Sequence, residues 1–314
     1  MTSEIPIDIE GLRMTYGGFT AVDNLELSIE KNSFTGLLGP NGAGKSTTLK
    51  VLTGLLRPTS GSATLNGLNV TEDSRNALEG VGVVVETPEF YLYLTPRETM
   101  KYVGELLGMK KEAISSETDE ILERVKMTEW ADKKLGSFSK GMRQRIALGQ
   151  ALMNSPNVII LDEPTSGLDP RGMAEMRVIL KELRNSEHDL TVLMSSHMLY
   201  EVSDLCDRVA MVNHGKLIVH DSVDVITSGS NSRTLVARSA KTIGEVDLGI
   251  IRDMNGVENI NIYGNDMEIV FKGERDMQSK LLSHICSLDL GTYSVAESEK
   301  NLEAVYLDLI KESR

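Results

Sequence analysis

The stretch Gly39-Pro40-Asn41-Gly42-Ala43-Gly44-Lys45-Ser46-Thr47 limits what this chain can fold into more than any other. It satisfies the spacing G-x-x-x-x-G-K-[ST], follows the apolar run 34–38 and opens a helical pattern over 48–56. A strand, a glycine-rich loop and a helix in that order form a phosphate cradle. The glycines let successive backbone N–H groups converge on one point, and the helix N-terminus adds its positive dipole end. Lys45 is then placed to reach β- and γ-phosphates, and the Ser46 hydroxyl to bind Mg²⁺. A glycine-rich turn that ends by chance in Lys-Ser is the bland alternative, and the loop alone leaves the class of nucleotidase open.

With 314 residues, 40% hydrophobic and 25% charged, the chain has the size of one large domain plus a smaller one and an ordinary globular composition. The net charge of −13 disfavours a surface built to neutralise nucleic-acid phosphates or to hold anionic lipid by charge. No apolar run reaches bilayer-spanning length, and the start MTSEIPIDIE lacks the regions of a signal peptide, so the expected location is the cytoplasm. Cys206 and Cys286 are far apart with no metal-ligand spacing around them, which suits two idle thiols better than a disulfide.

Along the chain, Ile5, Ile7 and Ile9, then Leu25, Leu27 and Ile29, alternate around Tyr16-Gly17-Gly18 and predict an antiparallel strand pair ahead of the cradle. Tyr16 offers a flat face for an adenine ring or is an ordinary turn tyrosine. The run 81–85 ends at Glu86, where open α/β sheets keep ligand-facing groups. Thr95-Pro96-Arg97-Glu98 is a capping box with Pro at the first helical position, and 95–126 reads as a small helical insert. Ser139 is a candidate N-cap for a helix running to Met153.

The continuous apolar run 158–161 fits a central parallel strand and ends in Asp162-Glu163. Two adjacent carboxylates leaving a buried strand are costly without a cation or polar ligand nearby. Asp162 is the candidate to hold Mg²⁺ through water, and Glu163 to contact the water attacking a γ-phosphate. A further buried strand, 190–194, leads through Ser195-Ser196 to His197, which would share that sheet edge and can hydrogen-bond a γ-phosphate oxygen or the attacking water.

Together these residues resemble the ATP-binding subunit of an ABC transporter, over roughly Ile5 to Asp221 and through seven motifs in the family's order. Gly39 to Thr47 resembles its phosphate loop, 158–163 its metal-binding strand and catalytic glutamate, and His197 its switch histidine. Tyr16 matches the aromatic that stacks on adenine, and Ser166 to Asp169 the loop that crosses the dimer interface. Phe138-Ser139-Lys140-Gly141-Met142 falls where the family carries Leu-Ser-Gly-Gly-Gln: Ser139 and Gly141 are kept, while Lys140 and Met142 depart as in the exporter branch. Glu86 stands where glutamine is usual, beside the metal. The resemblance implies a P-loop NTPase fold of the ABC type, with a mixed sheet core, an antiparallel β subdomain and a helical subdomain over about 88–153. It also implies ATP and Mg²⁺ as ligands, with Ser46, Asp162 and Glu86 near the metal and Glu163, His197 and Glu86 at the reaction. Ser139, Gly141 and Asp169 would meet the nucleotide of a second copy in a homodimer. The partner would be an integral membrane permease on a separate chain, which would hold this one peripherally at the membrane's inner face and export a substrate.

Residues 1–222 are thus expected as the ATPase domain and 223–314 as an accessory or regulatory domain, after a linker at 228–232. The second part reads strand, helix, strand, strand, helix, strand, a small α+β ferredoxin-like sandwich, with a closing helix over 301–310. The alternative is a soluble ABC-type ATPase acting on ribosomes or DNA. One phosphate loop, and barely a hundred residues between it and Ser139, fit that alternative poorly.

Overall fold

A computed structural model describes residues 4–186, 189–228, 232–243, 249, 251, 252, 254, 256–273, 275–288, 290–298, 302, 305 and 306. The chain divides into a first compact unit through Ser222 and a second from Val223.

The first unit holds two sheets. Strands β1 (Ile7–Tyr16), β2 (Phe19–Ile29), β4 (Ser60–Leu65) and β5 (Leu68–Asn69) form an antiparallel sheet in the order β2-β1-β4-β5. The register Ile7↔Ile29 and Ile9↔Leu27 puts the alternating apolar residues on one buried face. Residues 60–65 carry little of the expected strand pattern. Only Ala63 and Leu65 are fully buried there, and small polar residues fill the other positions.

The second sheet is mixed. Its order is β10 (Lys216–Ser222), β9 (Arg208–Asn213), β3 (Phe34–Leu38), β8 (Thr191–Ser196), β7 (Val158–Asp162), β6 (Val81–Val84). All neighbours are parallel except β10 and β9, so β3, β6, β7 and β8 finish on one edge. All of β3 and β8 and nearly all of β7 are buried, which is why these strands carry continuous apolar runs. Helix α1 (Lys45–Leu52) follows β3, a short α2 (Ser74–Ala77) precedes β6, and α6 (Pro170–Ser186) and α7 (Leu199–Leu205) follow β7 and β8.

Between β6 and β7 lie α3 (Pro96–Leu106), α4 (Lys111–Arg124) and α5 (Lys140–Leu152). The capping box is complete: Glu98 N donates to Thr95 Oγ1 at 3.2 Å, and Thr95 N to Glu98 Oε2 at 2.8 Å. α5 lies directly on β6, because Gly82 has no side chain: a Cβ there would sit 1.9 Å from the Ala151 carbonyl oxygen. Both ends of this contact are backbone and cannot step aside.

The second unit opens with a short helix, α8 (Val223–Ser228), which sequence patterning did not anticipate. Strands β11 (Ser232–Ser239), β12 (Val257–Tyr263), β13 (Asp266–Lys272) and β14 (Thr292–Ser298) form an antiparallel sheet ordered β12-β13-β11-β14, and α9 (Arg275–Ser287) packs its Leu281 and Ile285 into the same core. Met267, Ile269 and Phe271 alternate onto the covered face. The expected first helix of this unit is described only at Gly249, Ile251, Arg252 and Met254, and most of the expected linker and closing helix also lie outside the described residues. Cys206 is buried and Cys286 exposed, both free, and burial pushes the Cys206 thiol up. Among the described residues no helix is long and apolar enough to cross a membrane.

Gly82→Ala should force α5 away from β6 and cost about 1–3 kcal/mol, read as a lower urea midpoint. An unchanged midpoint would contradict the close approach.

Candidate nucleotide site

The edge where the parallel strands end gathers most of the candidate residues. β3 runs into the phosphate loop, and α1 starts at Gly44, whose φ of 99° lies in the left-handed region and which provides no side-chain cap. Gly44 is also pressed on β2: a Cβ there would meet the Ala21 carbonyl oxygen at 2.5 Å. Gly215, in the turn between β9 and β10, donates to the Ala43 carbonyl at 3.0 Å and accepts from Asp23 N at 2.9 Å, bracing the loop against β2. Ala43 N is taken by Pro40 O at 3.1 Å. The amides of Lys45, Ser46 and Thr47 have no such partner among the described residues. Together with the exposed Asn41 and Gly42, they form an open cradle for an anion.

Lys45 is 5% exposed, and its ammonium donates to the carbonyls of Gly39 at 2.8 Å and Pro40 at 3.2 Å. Burial lowers its pKa, against an opposing pull from Glu163 and Asp162. Glu163 Oε1 is 3.8 Å away. A buried cation at the mouth of a ring of free amides fits a polyphosphate.

Opposite Lys45, Asp162 ends β7 and its Oδ1 accepts from Ser46 Oγ at 3.2 Å and from Ser195 Oγ. The same Ser195 hydroxyl accepts from Glu163 N at 2.9 Å. A fully buried side chain on β8 therefore fixes two successive residues at the end of β7. Sequence reading passed over Ser195, although a serine pair closing an apolar strand signals polar groups with work at the sheet edge. Glu163 sits at φ 45° and Glu86 at φ 71°, a conformation that non-glycine residues seldom adopt and that concentrates at functional sites. His197 Nδ1 lies 3.1 Å from Glu163 Oε1, so imidazole and carboxylate meet as a hydrogen-bonded pair.

Glu86 lines the same cavity as Ser46, Asp162 and Glu163, but its carboxylate is ion-paired with Lys50 of α1. That hydrogen bond raises the Lys50 pKa. Among the described residues no three His, Cys, Asp or Glu side chains are grouped to hold a metal by themselves. Ser46 and Asp162 are oxygen donors of the kind Mg²⁺ prefers, and that ion characteristically takes the rest of its shell from water and phosphate, so the pair fits it. Tyr16 is 46% exposed at the tip of the β1–β2 hairpin, the hairpin that carries Ala21 against Gly44.

A second group of candidates lies apart from the phosphate loop. Ser139 caps α5 by accepting from Met142 N at 3.2 Å, and Gly141 is buried against Gly172 and Leu168. Asp169 caps α6, its Oδ1 accepting from Gly172 N at 3.1 Å. Lys140 bridges the two groups: it donates to the Ser166 carbonyl at 3.0 Å and lines the cavity with Glu86 and Glu163. Among the described hydrogen bonds none joins Ser139, Gly141 or Asp169 to the phosphate loop.

A phosphate loop, two carboxylates and a histidine on one parallel-sheet edge, with a helical insert carrying a separate capped helix, define a nucleotide-binding cassette. The family model described as ABC transporter matches residues 22–166. The linearmycin resistance ATP-binding protein LnrL of Bacillus subtilis is 31% identical over 305 residues, covering 96% of this chain and 97% of that one. The bacitracin transport ATP-binding protein BcrA of Bacillus licheniformis is 41% identical over 208 residues, 66% of each. Among solved structures, cbiO1 from Clostridium perfringens, part of the ABC transporter complex cbiONQ, superposes with a TM-score of 0.64 at 27% identity over 71% of this chain and 91% of that one. A nucleotide-free ATP-binding cassette from an ABC transporter gives 0.62 at 26% identity over 70% and 92%. The chain belongs to the ATP-binding subunits of ABC transporters.

Ser195→Ala should leave the Glu163 amide without its acceptor and Asp162 with Ser46 as its one remaining hydroxyl donor among the described hydrogen bonds. The expected cost is about 1–3 kcal/mol in urea unfolding, and wild-type stability would contradict the shared hydrogen bond.

Proposed function

We propose that this chain binds and hydrolyses ATP with Mg²⁺ and that the cycle drives a membrane permease on a separate chain. The observation that carries the reading is Glu163: a carboxylate held in a left-handed conformation at the end of β7, hydrogen-bonded to His197 and 3.8 Å from the ammonium of Lys45.

In this reading Lys45 and the free amides of the loop hold the β- and γ-phosphates, and Tyr16 stacks on adenine. Ser46 and Asp162 would hold Mg²⁺, which when bound neutralises charge on the phosphate oxygens. Glu163 accepts a hydrogen bond from the attacking water and orients it toward the γ-phosphorus. His197 steadies Glu163 and is in reach of a γ-phosphate oxygen. Because Ser139, Gly141 and Asp169 are separate from the loop within one chain, a second copy supplies them. Its α5 N-terminus faces the γ-phosphate across a homodimer, so two nucleotides close the interface and hydrolysis releases it.

The names of LnrL and BcrA, a linearmycin resistance and a bacitracin transport ATP-binding protein, favour export as the direction. The permease would place the chain at the inner face of the cell membrane. The second unit serves dimer contact or regulation, and similarity to LnrL runs through it.

Glu163→Gln should bind ATP and dimerise while its turnover falls about 10²–10⁴-fold, measured by light scattering and phosphate release. A monomer in saturating ATP, or wild-type turnover, would contradict the assignment. Glu86→Gln removes the partner of Lys50 and a charge from the cavity. With the Glu86 side chain 61% exposed, fold stability should hold, as should ATP affinity, while the Mg²⁺ dependence of turnover shifts. An unchanged Mg²⁺ titration would count against a role for Glu86 near the metal.

A further inference from the structure

We infer that Glu201 is a positioning residue that locks the Glu163 loop and the His197 loop to each other, so that the two side chains stay in register during hydrolysis. This rests on the hydrolytic reading of Glu163 and His197 given above.

Glu201 lies on α7 and is 2% exposed, a carboxylate removed from water with no Lys, Arg or His paired to it among the described ion pairs. Such a group is costly unless its oxygens are hydrogen-bonded. Each oxygen takes one hydroxyl, one from the loop after β7 and the other from the end of β8. Oε1 accepts from Thr165 Oγ1, two residues beyond Glu163, and Oε2 accepts from Ser196 Oγ at 2.9 Å, the residue before His197. Thr165 and Ser196 are each 2% exposed, so neither hydroxyl has bulk water as an alternative partner. Ser196 Oγ also accepts from Met198 N at 2.9 Å and so brackets His197 from both sides.

The geometry follows from the strand. Successive residues of β8 point to opposite faces, so Ser195 turns to Asp162 and Glu163 N while Ser196 turns to α7. The helix carrying Glu201 is itself anchored on the phosphate-loop strand. Gly36 of β3 leaves room for Val202, whose Cγ1 would be only 2.6 Å from a Cβ at position 36. Glu201 therefore spans from a rigid support to the hydroxyls of Thr165 and Ser196, which neighbour Glu163 and His197 in the chain. A carboxylate suits this span because it accepts at both oxygens, whereas an amide accepts at one only.

The test measures kcat and KM for ATP in the full chain for wild type, Glu201→Ala, Glu201→Gln and Thr165→Val, each alone and with His197→Ala. Glu201→Ala should lower kcat about a hundredfold with KM unchanged, the scale on which a displacement of about 1 Å acts. Glu201→Gln, which keeps one acceptor, should recover part of the loss, and Thr165→Val should reproduce part of it in a chain of nearly the same shape. With His197 already removed, each substitution should cost little more. Losses that are the same with and without His197, or a rise in KM at constant kcat, would overturn the role. Wild-type turnover decides the hydrolytic reading separately. Hydrogen exchange in Glu201→Gln decides the lock without turnover: segments 163–168 and 195–199 should both exchange faster, and acceleration of only one or neither would overturn it.

Discussion

The start of α1 carries more hydrogen-bond donors than the chain satisfies. Lys45, Ser46 and Thr47 present free amides, Gly44 gives no cap, and the Lys45 ammonium is buried with its pKa lowered. The helix starts at Thr95, Ser139 and Asp169, by contrast, are closed by a side chain that accepts from an amide of the first turn. An uncapped helix beside a buried cation holds its shape only because strong neighbours enforce it: β2 against Gly44, and the Gly215 turn against Ala43. A polyphosphate relieves both deficits at once, which makes the loop the element on which the remaining geometry depends.

The carboxylate side is arranged by the opposite principle, saturation. Ser195 joins Asp162 to Glu163 N, Ser196 and Thr165 share Glu201, and His197 meets Glu163. Buried polar groups with every partner in place are stiff, and stiffness is what positioning a water molecule requires. The strained backbone at Glu163 is tolerated because these bonds over-determine it. Thus one wall of the cavity is rigid and complete, while the other is rigid and left open for the nucleotide.

The candidate residues gathered at the sheet edge were legible in the sequence because the chemistry expected of them forces a pattern. Glycines must sit where N–H groups converge, and carboxylates must leave a buried strand at its end. Gly39 to Thr47, Asp162-Glu163 and His197 declare themselves in this way, and so do the buried strands that carry them. What supports them was not legible. Ser195, Thr165 and Glu201 are ordinary polar residues whose importance comes from pairings 32 to 36 residues apart, and no local spacing encodes these. β4 was missed because small polar residues mask its alternation, and the Glu86–Lys50 pair because nothing in either segment points to the other. Asp169, expected from the sequence to face a nucleotide across a dimer, is in the structure the cap of α6.

In the proposed function a triphosphate completes the open loop and is closed over by a second copy. The most direct measurement is a crystal structure of the Glu163→Gln chain with ATP and Mg²⁺. It should show the β- and γ-phosphates on the amides of Lys45 to Thr47 and on the Lys45 ammonium, with Ser139 and Gly141 of a twin subunit on the γ-phosphate. Nucleotide bound elsewhere, or a γ-phosphate open to solvent with no twin opposite, would contradict it.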